Sequence, residues 1–118
     1  MDYKKLVQQL IFLLERETNQ VAILANTAAL LMMQLEDVSW AGFYLEKERE
    51  LILGPFQGKP ACIHIPVGKG VCGTAFVTRK TVRVPDVHAF PGHIACDSES
   101  ASEIVIPLSN RSGKLIGV

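Results

Sequence analysis

LLMMQLEDVSWAGFYLEKERELILG, residues 30–54, decides the fold, because the spacing of its apolar residues changes from helical to strand-like part-way through. Its first residues close VAILANTAALLMMQL (21–35), where Ile23, Leu24, Thr27, Leu31 and Leu35 recur at helical intervals among alanines that favour a helix. Met32 and Met33 are expected to be core residues at its end. From Val38 the period is two: Ser39, Ala41, Phe43 and Leu45 fall on one face of a strand, Val38, Trp40, Gly42 and Tyr44 on the other. The first set reads as a plain core face. The second carries a Trp and a Tyr on either side of a glycine that leaves space between them. EKERE (46–50) then makes a charged turn, and LILG (51–54) a second short strand.

Upstream, Leu6, Leu10, Leu13 and Leu14 mark an amphipathic helix over residues 3–17, less deeply buried than the second. Downstream, ACIHIPV (61–67) is expected as a strand and GKGVCGTAFVTRK (68–80) as a short helix begun through glycines. TVRVP (81–85) and SEIVIPLS (102–109) are further strands. NRSG (110–113) is a hairpin turn, and KLIGV (114–118) starts the return strand. Helices flanking short, mostly hairpin-linked strands predict an α+β fold with a central, largely antiparallel sheet, in a single domain over residues 1–118. Ending inside an apolar strand, the sequence reads as a truncated C-terminal part, short of a final strand and helix.

Twelve basic and twelve acidic residues leave no net charge, which removes the electrostatic footprint of a nucleic-acid binder. LIFLL near the N-terminus is too short for a signal core or a membrane span, so a cytoplasmic location is the expectation. There, three cysteines, Cys62, Cys72 and Cys96, fit catalytic, redox or metal-binding roles better than structural bridges. Each is equally readable as a small buried hydrophobe.

Cys96 lies in HAFPGHIACD (88–97), a segment with a proline, a glycine and two histidines. His93 three residues earlier, and N–H groups clustered in a turn, would suit an activated thiolate. His88 and His93 could as well be surface residues of a loop. Cys62, His64, Cys72, His88, His93 and Cys96 are six possible metal ligands, but the C-x9-C-x23-C spacing lacks the close pairs of zinc sites, and no metal is expected. There is no G-x-S-x-G, and GKGVCGT (68–74) lacks the phosphate-loop pattern.

Taken together, GPFQGKPACIHIPVGKGVCGTA (54–75), VPDVHAFPGHIACDSESASEIVIPL (84–108) and SWAGFYL (39–45) resemble the GAF-domain free methionine-(R)-sulfoxide reductases. The resemblance implies a GAF-like fold. It also implies that Cys96 is the catalytic cysteine, that Cys62 and Cys72 are resolving thiols, that Trp40 and Tyr44 line the substrate pocket, and that Glu103 contacts the substrate. Reduction of free methionine-(R)-sulfoxide would leave a sulfenic acid on Cys96, which an intramolecular disulfide then captures. Thioredoxin would serve as the reductant with no other cofactor, and a homodimer is the usual state of the family. A GAF-type sensory module that binds a small ligand without turnover is the competing reading.

Overall fold

The computed structural model describes residues 1–92 and 102–118, and the notable segment around Cys96 therefore lies partly outside the described residues. Its elements are α1 (Tyr3–Leu13), α2 (Gln20–Gln34), β1 (Ala41–Lys47), β2 (Glu50–Gln57), β3 (His64–Pro66), α3 (Gly70–Thr78), β4 (Val82–Val84), a 3-10 turn (Val87–Ala89), β5 (Glu103–Val105), β6 (Leu108–Ser109) and β7 (Leu115–Gly117). Five strands form a sheet in the order β3-β2-β1-β7-β6, and β4 and β5 form a separate two-stranded ladder. The β1–β7, β2–β3, β4–β5 and β6–β7 pairings are all antiparallel, and the expectation of an α+β fold with a largely antiparallel sheet holds.

The chain divides into two compact units, Met1–Phe43 with Gly54–Lys59, and Tyr44–Leu53 with Pro60–Val118. In the first, Asp2 and Asn19 cap the two helices, accepting from the N–H groups of Lys5 (3.1 Å) and Ala22 (3.0 Å). Helix α1 stops at Leu13, earlier than the spacing suggests. Arg16 adopts a left-handed backbone (φ 64°), and the Glu17 carboxylate accepts from the N–H groups of Thr18 and Asn19, so local polar bonds replace helical ones. Helix α2 is the more buried of the pair, through Leu24, Ala28 and Leu30. Met33 is not a core residue: it is 71% exposed, because the helix turns that position outward.

In the second unit the turn between β1 and β2 is charged, as read, and both Glu48 (φ 52°) and Arg49 (φ 66°) occupy the left-handed region. That is the signature of a type I′ hairpin, which matches the twist of the strands it joins but usually employs Asn and Gly. The expected strand over 61–67 contracts to His64–Pro66, pairing Glu50↔Pro66, Leu51↔Ile65 and Ile52↔His64. The expected strand over 102–109 is two strands, β5 pairing with β4 and β6 with β7. Pro107, which has no N–H to give a ladder, falls at the division.

The NRSG turn forms as read. Asn110 accepts through its side chain from the N–H groups of Ser112 and Lys114 (3.0 Å) while Gly113 takes φ 88°. Beyond it, β7 runs between β1 and β6, and Tyr44 and Val118 exchange both main-chain hydrogen bonds at 3.0 and 2.9 Å. Helix α3 packs on β3, β4 and β5 and buries Val71, Gly73 and Ala75. A Cβ on Gly73 would sit 2.9 Å from the Pro66 carbonyl oxygen and the Gly68 nitrogen, so the absence of a side chain is what lets the helix start approach β3.

Candidate functional site

In the second unit, Tyr44 on β1, Cys72 on α3 and Glu103 at the head of β5 converge electrostatically, and Tyr44 reaches Cys62. Tyr44 is 5% exposed, and its hydroxyl donates to the Cys62 carbonyl at 2.8 Å. A phenol buried this far needs such a partner, since an unpaired polar group in the interior carries its full desolvation cost. Burial, then the Cys72 and Glu103 charges, push the Tyr44 hydroxyl up to about 12, so it stays a neutral donor.

The two described cysteines differ. Cys62 is disulfide-bonded, whereas Cys72 is a free thiol. Burial and the Glu103 carboxylate push the Cys72 thiol up to about 12, which keeps it protonated and poorly nucleophilic at neutral pH. Cys96 and His93 lie outside the described residues.

Trp40 belongs to the first unit and stands just before β1, which begins at Ala41 rather than Val38. Its ring stacks on Phe56 of β2 with centroids 5.4 Å apart and planes 16° from parallel, and its indole N–H donates to the Lys59 carbonyl at 3.2 Å. The space read over Gly42 is occupied: a Cβ there would lie 2.8 Å from the Trp40 ring and 2.9 Å from the Phe56 Cα. The glycine admits a neighbouring aromatic pair instead of leaving a gap. Nor are the two faces of the strand a core face and a ligand face, because Tyr44 is buried while Phe43 and Leu45 are only half-buried.

The reading of the sequence missed Phe56 and the Tyr44–Cys62 link. A glycine on one strand beside an aromatic on the next could have signalled the first. The second joins residues distant in the chain and left no local trace. His64, one of the six conceivable metal ligands, pairs with Glu50 across β2 and β3 at 3.1 Å on the surface. Among the described residues, no group of three or more His, Cys, Asp or Glu side chains gathers in a way that could hold a metal ion. No helix among them is long and apolar enough to cross a membrane.

A profile of the GAF domain family matches residues 15–118. The free methionine-R-sulfoxide reductase of Escherichia coli is 57% identical over 106 residues, covering 90% of this chain, which spans 64% of that protein. The enzyme of the same name from Saccharomyces cerevisiae is 45% identical across 100% of this chain and 72% of its own length. Among solved structures, fRMsr of Staphylococcus aureus in complex with substrate superposes with a TM-score of 0.91 at 54% identity, covering 98% of this chain and 75% of that one.

Proposed function

The chain belongs to the GAF-domain family of free methionine-R-sulfoxide reductases, and on that premise we propose that it reduces free methionine-(R)-sulfoxide to methionine. The observation that carries the reading is the gathering of Tyr44, Cys62, Cys72 and Glu103 in one unit, with one cysteine disulfide-bonded and another a shielded thiol. Two cysteines in such different states suit a redox cycle better than a passive ligand pocket.

In this reading the Cys96 thiolate attacks the electrophilic sulfoxide sulfur, the sulfoxide S–O bond breaks as its oxygen takes a proton from solvent and passes to Cys96 as the sulfenic hydroxyl, and methionine leaves. Cys62 is the thiol that captures the resulting sulfenic acid. Cys72 stands in reserve, because a thiol held at about 12 presents little thiolate. A dithiol reductant, thioredoxin, then reopens the disulfide by thiol–disulfide exchange, so the cycle needs no resident cofactor and operates in the cytoplasm. The Glu103 carboxylate accepts the substrate ammonium, which selects the free amino acid over a peptide-bound residue. Tyr44 is assigned to the S-methyl group from the family resemblance, a contact that polarizable sulfur makes well with aromatic rings. A homodimer is part of the proposal, and the exposed Val7, Ile11 and Phe12 of α1 support it as apolar surface for a second copy.

The test is NADPH oxidation coupled through thioredoxin and thioredoxin reductase. Turnover is expected with the free R epimer and not with the S epimer or a peptide-bound sulfoxide. Cys96→Ser is expected to abolish it. Full activity in that variant would sink the nucleophile assignment, and binding of the sulfoxide without turnover in the parent protein would favour a sensory module.

A further inference from the structure

Cys62 precedes β3, whose ladder begins at His64, and the neighbouring Ile63 carbonyl is tied to β2 by the Leu53 N–H at 2.8 Å. With Cys62 in its disulfide-bonded state, the Tyr44 hydroxyl donates to the Cys62 carbonyl at 2.8 Å. Tyr44 is itself a fixed post. Its own N–H and carbonyl are both bonded to Val118, in a strand that lies inside the five-stranded sheet, and its side chain is buried.

We propose that Tyr44 is a positioning residue for disulfide formation: its hydroxyl fixes the main chain of Cys62 for attack on the oxidised Cys96 sulfur. The inference rests on the redox cycle proposed above and gives Tyr44 a second task, distinct from contact of its ring with substrate. In the step it governs, the Cys62 thiolate attacks the sulfenic sulfur of Cys96, the S–S bond forms, and the S–O bond breaks. The departing hydroxide takes a proton and leaves as water. The Cys96 sulfur is reduced and that of Cys62 oxidised. The rate depends on how often the attacking sulfur is presented within reach, and fixing a loop raises that effective concentration. The hydroxyl remains a donor across the working range, because burial keeps it protonated.

The experiment uses Tyr44→Phe, which keeps the ring and removes the donor, in reductant-free single turnover with free methionine-(R)-sulfoxide. Measured against methionine release in the same variant, disulfide formation is expected to slow about tenfold more than release does, the worth of one net hydrogen bond. A sulfenic acid trappable by dimedone accumulates on Cys96 meanwhile. Replacing Tyr44 with p-aminophenylalanine restores a para donor on the same ring and is expected to recover the rate to within about threefold, which packing alone would not do. That rescue also answers any loss of folding in the Phe variant. A second arm generates the sulfenic acid with hydrogen peroxide and follows its conversion to disulfide without any sulfoxide. If the parent releases no methionine, the reductase reading fails while this arm still judges Tyr44. Disulfide formation at the parent rate in Tyr44→Phe, methionine release falling in parallel with it, or no rescue by the amino analogue would each overturn the proposal.

Discussion

In the first unit, Trp40 donates from its indole to the Lys59 carbonyl while its half-buried ring lies on Phe56; in the second, Tyr44 donates to the Cys62 carbonyl from a ring that is 5% exposed. The same device, an aromatic polar tip on a loop carbonyl, therefore operates in two environments. Water competes more for the first bond, which is exposed, than for the second, which is partly buried, so the second is worth more and costs more to lose. The second is also surrounded by groups whose titration responds to burial, Cys72 and Tyr44 itself, whereas the first is held by stacking and shape.

The largest contrast is expected on truncation. Tyr44→Ala should cost about 3–5 kcal/mol in denaturant unfolding, as for other buried rings. Equal losses at Tyr44 and Trp40 would break the comparison. Next, Cys72 should react with iodoacetamide at pH 8 at least about a hundredfold more slowly than an exposed cysteine, because little thiolate forms when the thiol is held at about 12. Mass spectrometry of alkylated peptides reads the rate, and fast labelling would show that burial does not protect the thiol.

Gly42→Ala should follow at about 1–3 kcal/mol, the usual cost of overpacking, with a shift in tryptophan fluorescence as the Trp40–Phe56 stack gives way. Alkaline pH sharpens the contrast from the other side. Cys72 rises from an ordinary 9 and Tyr44 from 10, both to about 12, so the unfolded chain loses these protons first. The stability they give is present below pH 9 and is lost between about pH 9 and 12, by at most about 1.4 kcal/mol per pH unit for each group. Cys72→Ala should flatten that decline in pH-dependent melting, and an unchanged slope would count against it. Smallest of all, Trp40→Ala should cost about 0.5–1.5 kcal/mol, little more than the stacking contact.

The features legible in the sequence were those governed by neighbours in the chain. The change of period after Gln34, the glycine-led start of α3 and the Asn110 turn all depend on residues within a few positions of one another. Alternation across 102–109 was genuine as a β pattern, but it could not say that β5 and β6 pair with different partners on either side of Pro107. The Glu48–Arg49 turn was legible as a turn, though not as one with both residues left-handed, because neither residue type favours that region. At the site, the resemblance pointed to Tyr44, Cys62, Cys72 and Glu103, which the fold collects in one unit. That the Tyr44 hydroxyl is engaged by Cys62, and that Gly42 is covered by Phe56, depends on long-range packing that no local pattern encodes.

The pairing of Tyr44 with Val118 also has a consequence for synthesis on the ribosome. A hydrogen-bonded pair so far apart in sequence cannot close until everything between its members has left the exit tunnel, and such long-range pairing is slow to form. Until then β1 lacks its β7 neighbour, and the post that carries the Cys62 carbonyl has no fixed footing. Contacts between α1 and α2 are local in the chain and can form earlier, whereas the footing of Tyr44 waits for Val118.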